Sequence, residues 1–454
     1  MRDLFFVGFL FGLLALGCKR PFLFVLVYAY VDIVAPQRLS YYLLNGASVA
    51  MIAAVIAIGS WLVFDDKRGL RITGRQLLML LLLCYAGFTT IYADVPDEAV
   101  LKWEWVWKAM LFAIFLPFTL RTKLRIEAYI LFMVLSASAI VVVGGIKTLL
   151  SGGGYGALNL MVDNNSGLYE GSTISMVAIA IVPLILWLAR FGTVFPRDWR
   201  VKLFAGSLIF ACLLIPVGTE ARTGIVCIGV LAVLLLRDVR RRLVYMSMIG
   251  LACLAALPML PDSFTDRMGT ISTYQADSSA TTRLAVWAWT WDYALHNPMG
   301  GGFEAYRQNL VQVSTTSTQT DGTVTAIEQQ VQADEARAYH SSYFEMLGEH
   351  GFPGIFLFLL IHGIALVRME MLRRRWRGAD GDKAWIAPLA TALQSFQIIY
   401  LTGSLFVGIA FQPFVWMMMA VQIGFDVYVG RRHKVEMRRP AAPMPTVRPG
   451  LAGA

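Results

Sequence analysis

Long apolar runs recur along almost the whole chain, and they constrain its fold more than any other feature. Many are long enough to cross a hydrocarbon core of about 30 Å, and strand-like alternation is absent. Because lipid offers the backbone no hydrogen-bond partners, such runs predict helices, which pair their own polar groups. Hydrophobic residues make up 57% of the chain and charged residues 15%, which is more apolar than a soluble globule requires. The sequence therefore predicts an all-α polytopic integral membrane protein.

The apolar runs divide the chain into about 12 transmembrane helices, one large loop and a tail. The candidate spans are 3–17, 21–35, 44–64, 75–92, 103–120, 126–149, 172–190, 202–218, 223–236, 243–260, 342–367, 385–402 and 405–429. We predict that 1–260 is a membrane helical region, 261–341 a large loop, 342–430 the C-terminal membrane helices and 431–454 a disordered tail. The first run lacks an obvious small-residue cleavage site, which favours a retained helix over a removed signal peptide.

Basic residues cluster in alternate connections between the predicted spans, and this pattern orients the helices. The basic connections are 19–20, 65–75, 121–125, 190–202, 237–242 and 368–383, followed by the tail from 431. We expect them to face the cytoplasm. The net charge of +9 is therefore mostly a signal of topology, and nucleic-acid binding is a poor explanation of it.

The large loop lies on the opposite face and has nine Asp or Glu, four Arg and no Lys, so its arginines stand out. In the segment 281–303, apolar residues and tryptophans recur at helical spacing, and a proline and three glycines then end the helical pattern. This pattern predicts an amphipathic helix at the membrane interface. The polar stretch 313–339 is predicted to be partly mobile or helical, and it could cover a site beneath it.

Metal and cofactor chemistry have little support in the sequence. The five cysteines all lie in apolar runs and none forms a CxxC pair, so neither a disulfide framework nor a zinc site is indicated. No HExxH, Walker or GxSxG motif occurs, and the Asp-Gly-Asp at 380–382 lies in an Arg-rich connection. We therefore expect no metal ion and no cofactor.

The face opposite the basic connections offers one candidate base and several cations. They are His340, Lys147, Arg222, Arg283, Arg307 and Arg337. A set that is mostly cationic favours binding of an anion. An unpaired guanidinium between apolar spans is costly, so Arg222 is expected to pair with Glu220, a lipid phosphate or a substrate phosphate. Arg283 stands at the start of the interfacial helix, where arginines commonly contact lipid headgroups, and that contact is the alternative to binding a substrate phosphate.

His340 stands where the polar loop meets an apolar helix. Its ordinary pKa lies near neutrality, which suits it to take a proton from a hydroxyl. The alternative is a histidine that begins the helix and bonds to backbone, although Ser341 and Ser342 could cap the helix instead. The three glycines of 348–354 would let the helix approach a neighbour closely. They could serve packing or make room for a substrate.

Four short segments, taken in order, resemble the O-antigen ligase and polymerase superfamily of bacterial inner-membrane enzymes. They are DNNSGLYEG at 163–171, TEARTG at 219–224, the tryptophan-rich segment 278–303 and HSSYFEMLGEHGFPG at 340–354. The N-terminal half is also similar to ligases of the exosortase-associated type. The resemblance covers most of the chain apart from the tail.

This resemblance implies a multi-pass enzyme of the bacterial inner membrane whose active site faces the periplasm. Such ligases transfer a polysaccharide from undecaprenyl diphosphate to a hydroxyl of the lipid A-core oligosaccharide, inverting the anomeric centre without metal or nucleotide. His340 matches the family's proposed base, and Arg222 and Arg283 match the arginines that hold the diphosphate. Further candidates for binding donor or acceptor are Lys147, Arg307, Arg337, Asn164 and Asn165.

Members of the superfamily differ in their acceptor, which is lipid A-core for ligases, the growing glycan for polymerases and a protein for O-oligosaccharyltransferases. We favour lipopolysaccharide ligation because no soluble acceptor-binding domain follows the last predicted span. A lipid-linked glycan transporter is the alternative of another class. It would also need cations in a membrane cavity, but it would not need a base.

Overall fold

The computed structural model describes residues 2–151, 168–237, 278–321 and 324–438, with a few separate positions between 241 and 251. The helices are α1 (Arg2–Lys19), α2 (Phe22–Val34), α3 (Pro36–Leu39), α4 (Val49–Phe64), α5 (Gly74–Ile91), α6 (Pro96–Phe115), α7 (Lys123–Ser151), α8 (Gly171–Phe191), α9 (Trp199–Gly218), α10 (Arg222–Leu236), α11 (Ser278–His296), α12 (Ser342–Arg375), α13 (Ile386–Gly403) and α14 (Pro413–Arg438). Two antiparallel strands, β1 (Leu310–Asp321) and β2 (Val324–Glu335), lie between α11 and α12.

Among the described residues, a helix stands at every predicted span; the span predicted at 243–260 falls largely outside them. In this part of the chain, seven helices are long and apolar enough to cross a membrane: α5, α7, α8, α9, α12, α13 and α14. Helices α2, α4 and α10 are apolar but shorter. The chain is thus a multi-pass helical membrane protein, although these helices do not reach the predicted count of about 12. Helix α14 also continues to Arg438, past the predicted boundary at 430.

Helices α8, α13 and α14 are the most deeply buried of the candidate spans. Buried side-chain hydrogen bonds join three neighbouring helices of this core. Gln397 of α13 lies 3.0 Å from Nδ1 of His362 on α12, and its Oε1 accepts a hydrogen bond of 3.1 Å from Gln422 of α14. Hydrogen bonds between side chains of different helices, formed in apolar surroundings, fix how the helices pack.

Ion pairs bring most of the basic connections to one end of the bundle. They are Arg75–Asp426 (2.6 Å), Arg125–Asp65 (2.7 Å), Arg237–Glu370 (2.9 Å) and Arg432–Asp382 (3.4 Å). We call this the arginine end. Helix α12 begins at the other end, after His340, and we call that one the His340 end.

The predicted large loop contains both a helix and a hairpin. The interfacial helix is present as α11, which ends at His296 before the proline and glycines. The expectation that part of 313–339 is helical is wrong for the strand residues, which pair in register from Leu310 with Glu335 to Asp321 with Val324. The sequence did contain a signal for this, because an Asp-Gly dipeptide at 321–322 between Thr- and Val-containing runs is typical of a tight hairpin.

Helix α12 is interrupted at Gly351, whose φ of 59° and ψ of −162° are not helical. The carbonyl groups of Gly348 and Glu349, just before the break, accept hydrogen bonds from the amides of Gly301 and Gly302, at 3.0 and 2.8 Å. The backbone of the glycine-rich loop after α11 therefore lies directly against the helix. A Cβ atom on Gly348 or on Gly351 would collide with neighbouring atoms. These two glycines thus serve close packing.

Gly351→Ala should destabilise the protein by about 1–3 kcal/mol, because alanine is strained at this positive φ. Its Cβ would also meet the carbonyl oxygen of Pro298. Thermal unfolding in detergent measures the change. Gly363→Ala is the matched control, since Gly363 lies in the regular part of the same helix with open space around its Cβ. Equal melting temperatures for the two variants would contradict this account of the break.

Candidate active site

A cavity of about 200 Å³ lies at the His340 end, beside the first turns of α12. Its wall is built from α6, α8, α11 and α12 and from the loops that flank the hairpin and connect α13 to α14. The polar and ionisable side chains that line it include His340, Lys102, Arg283, Glu170, Glu304, Glu345, Glu349, Tyr306 and Tyr339. The fold thus gathers one imidazole, two cations and four carboxylates from distant parts of the sequence.

The backbone on both sides of His340 is fixed by contacts with other elements. His340 has a φ of 47°, a left-handed conformation that is uncommon for a residue with a Cβ and persists where the surroundings enforce it. The preceding carbonyl, of Tyr339, accepts a hydrogen bond of 2.8 Å from Trp287 Nε1 of α11. On the other side, Ser342 Oγ donates to the Val407 carbonyl at 2.9 Å. These contacts hold His340 in the cavity wall.

Neither serine after His340 caps α12 with its side chain. Ser341 occupies the N-cap position, but its side chain makes no capping hydrogen bond. The hydroxyl of Ser342 instead joins α12 to the segment between α13 and α14, donating to Val407 and accepting from the Ile409 amide at 3.0 Å. The start of the helix is therefore positioned by tertiary contacts.

The imidazole of His340 has a lowered pKa. Although the residue keeps contact with solvent, burial of the ring is the main cause and the nearby charge of Arg283 the second. Glu170 opposes the effect by favouring the charged ring, and Arg337 adds a smaller lowering effect. His340 is therefore biased toward its neutral form, which can accept a proton.

The two arginines expected to hold a diphosphate differ in their relation to the cavity. Arg283, on α11, lines it directly. Arg222 is partly buried as the first residue of α10 and lies outside the wall. The turn before it contacts α8 through Thr219, whose hydroxyl lies 2.6 Å from that of Ser175. The first turn of α8, which Glu170 caps, lines the cavity, so Arg222 begins its helix next to this part of the wall.

The other sequence candidates do not line the cavity. Lys147 is exposed near the end of α7, and Arg337 is exposed just after β2. Arg307 forms ion pairs with Glu304 at 3.1 Å and with Glu98 at 3.3 Å, so its charge is partly neutralised. Two candidates lie outside the described residues, Asn164 and Asn165.

One side of the cavity holds a buried ion cluster that was not predicted from the sequence. Lys102 Nζ of α6 lies 2.7 Å from Glu349, 2.8 Å from Glu345 and 3.7 Å from Glu304. Backbone amides supply further hydrogen bonds, since Glu345 accepts from the Ala410 amide at 2.9 Å and Glu349 from that of Glu304 at 3.0 Å. Three segments of the chain therefore meet at a single ammonium group, and a fourth, at Ala410, bonds to one of its carboxylates.

A sequence signal for this cluster existed. Glu345 and Glu349 are four residues apart in an apolar helix, which places them on the same face. Ionisable residues in a membrane segment are functional candidates by default, and they usually have a partner. The sequence did not identify this partner, because Lys102 is 243 positions away from Glu345 along the chain.

Two family models match parts of this chain. Residues 1–193 match a family described as of unknown function (DUF5935). Residues 206–359 match a family described as O-antigen ligase. The second match includes Arg222, Arg283 and His340, whereas Lys102 and Glu170 lie before it. No curated protein matches the chain.

Proposed function

This chain belongs to the O-antigen ligase superfamily, and we propose that it is a glycosyltransferase that acts as an O-antigen ligase. Its donor would be a glycan on undecaprenyl diphosphate, and its acceptor a hydroxyl of lipid A-core oligosaccharide at the periplasmic face of the bacterial inner membrane. One observation carries the proposal: His340 and Arg283 line the same cavity, within the segment that matches the family.

In the proposed reaction, the acceptor hydroxyl attacks the anomeric carbon from the side opposite the diphosphate. The new carbon–oxygen bond forms as the bond to the diphosphate oxygen breaks, so the configuration inverts. His340 takes the proton of the hydroxyl and later releases it to water. Arg283, with Arg222, stabilises the negative charge that grows on the leaving diphosphate, because a guanidinium can bind two phosphate oxygens at once.

Purified protein, supplied with an undecaprenyl-diphosphate glycan and lipid A-core, should form a product with the combined mass of glycan and acceptor. Parallel reactions would contain donor alone or donor with a protein acceptor. Elongation of the glycan would indicate a polymerase, and a glycosylated protein would indicate an O-oligosaccharyltransferase. Movement of the donor across vesicle membranes without a covalent product would overturn the proposal in favour of a transporter.

Arg222→Ala and Arg283→Ala should each raise the KM for the lipid-linked donor by about 10- to 100-fold, the effect of losing hydrogen bonds between charged groups. Arg222→Lys and Arg283→Lys should have KM values between those of the alanine variants and the wild type, because an ammonium cannot form the bidentate contact. Arg197→Ala, which removes an exposed arginine elsewhere, is the control. If both variants use the donor like the wild type, these arginines do not bind the diphosphate.

The pH dependence of kcat/KM, which reports the free enzyme, should shift in opposite directions when the charges beside His340 are removed. The positive charge of Arg283 disfavours the imidazolium form of His340, so Arg283→Gln should raise the pKa of His340. The acidic limb of the pH–rate profile, where the rate falls as His340 becomes protonated, should then move to higher pH. Glu170 favours the imidazolium, so Glu170→Gln moves that limb to lower pH. Rates at donor concentrations well below KM, measured between about pH 5 and 8, test this. Shifts of the same sign would show that the limb does not report His340.

A further inference from the structure

A second cavity, of about 1060 Å³, lies at the arginine end between α5, α12 and α14. Two of these helices also meet at the His340 end, where Thr89 of α5 lies 2.8 Å from His350 of α12. Arg75, in the wall of the second cavity, precedes Thr89 by 14 residues of the same helix, or roughly 20 Å. The two cavities are therefore separated by most of the length of α5.

Four arginines and one aspartate line this second cavity, which we call the arginine cavity. They are Arg71, Arg75, Arg368, Arg431 and Asp426. Four positive charges and one negative charge leave a net charge of +3. Asp426 is already paired with two of these arginines, because Arg75 Nη2 donates to it at 2.6 Å and Arg368 binds both its oxygens at 2.9 Å. The carboxylate thus cannot neutralise the other two arginines.

Arg75 is the most constrained cation of the arginine cavity. Its side chain is only 7% exposed, and its Nη1 has no hydrogen-bond partner among the described residues. A buried guanidinium N–H without an acceptor is costly, so an anionic oxygen beside Arg75 would be stabilising. Within the same described part of the chain, Arg431 bonds only to the Gly69 carbonyl, at 3.3 Å, and no carboxylate pairs with Arg71.

The remaining wall of the arginine cavity is partly apolar, with Ile72, Leu78, Ile364 and Val427 among its residues. The chain's own C-terminal segment is a poor occupant, because 439–454 contains two arginines and no acidic residue. Guanidinium groups bind phosphate oxygens in pairs, and apolar side chains beside them suit an acyl chain. We propose that the arginine cavity binds the phosphate group of an anionic membrane phospholipid, at a site separate from that of His340.

The test measures retention of lipid by the full-length protein, so it does not depend on glycosyl transfer. The protein would be reconstituted in vesicles of phosphatidylcholine with a small fraction of phosphatidylglycerol, then extracted and examined by native mass spectrometry. We expect phosphatidylglycerol to be retained and to raise the melting temperature, whereas inorganic phosphate should not. Stabilisation by inorganic phosphate without retained phosphatidylglycerol would overturn the assignment to a lipid.

The double variant Arg71→Gln/Arg431→Gln leaves the Arg75–Asp426–Arg368 contacts intact, so it should fold. It should bind phosphatidylglycerol roughly thirtyfold more weakly, as expected for two cations near a lipid phosphate. Arg20→Gln/Arg197→Gln removes two exposed charges from other basic connections and should bind like the wild type. Equal weakening in both double variants, or unchanged binding in the first, would overturn the proposal.

Discussion

His340→Asn should slow glycosyl transfer by about 10²- to 10⁴-fold, the usual contribution of a general base, while binding of the lipid-linked donor persists. Asparagine is the informative substitution because it tolerates the positive φ found at this position and has no basic nitrogen. The rate of product formation and the affinity for donor would be measured on the same preparation. A loss of rate with retained affinity is the pattern expected of a base.

His296→Asn provides the control for this experiment. His296 ends α11, its side chain is 74% exposed, and it does not line the cavity. We expect this variant to ligate at the wild-type rate. If His340→Asn also retains full ligation, His340 is not the base and its position in the wall is structural.

The helices could be predicted from the sequence because the requirement that produces them is local. Any segment that crosses lipid must satisfy its own backbone, so an apolar run of sufficient length implies a helix whatever its neighbours are. The residue at which a helix ends depends more on contacts with other segments of the chain. The last residue of α10 was predicted correctly at 236, whereas α14 continues to Arg438, past the predicted end of its span at 429.

The candidate site could be predicted only in part, because much of it depends on contacts between distant segments. His340 was recognisable as the one histidine at a boundary between polar and apolar sequence, and Arg283 as a cation on an interfacial helix. Periodicity and composition gave no means of placing Lys102 among three glutamates, since the pairs join residues far apart in the chain. The break at Gly351 likewise depends on the loop at 298–302, which packs against it.

Lys102→Met should destabilise the protein by about 3–5 kcal/mol, the cost of leaving buried charges without their partner. Glu349 is fully buried, and Glu345 is nearly so. Without the ammonium, neighbouring carboxylates would repel each other in an environment that screens charge poorly. Thermal unfolding in detergent should show the loss. Lys108→Met is the control, because Lys108 lies on the same helix and has no ion pair among the described residues.

A second substitution distinguishes loss of charge balance from loss of packing. Adding Glu349→Gln to Lys102→Met removes one of the unpaired charges, so the double variant should be more stable than Lys102→Met alone. If the lysine acted only through its aliphatic stem, the two losses would add and the double variant would be less stable. Unfolding of Lys102→Met at the wild-type temperature would contradict both. Since Lys102 and His340 line the same cavity, rescue by Glu349→Gln would show that the ammonium stabilises this part of the wall by balancing the charge of the buried carboxylates.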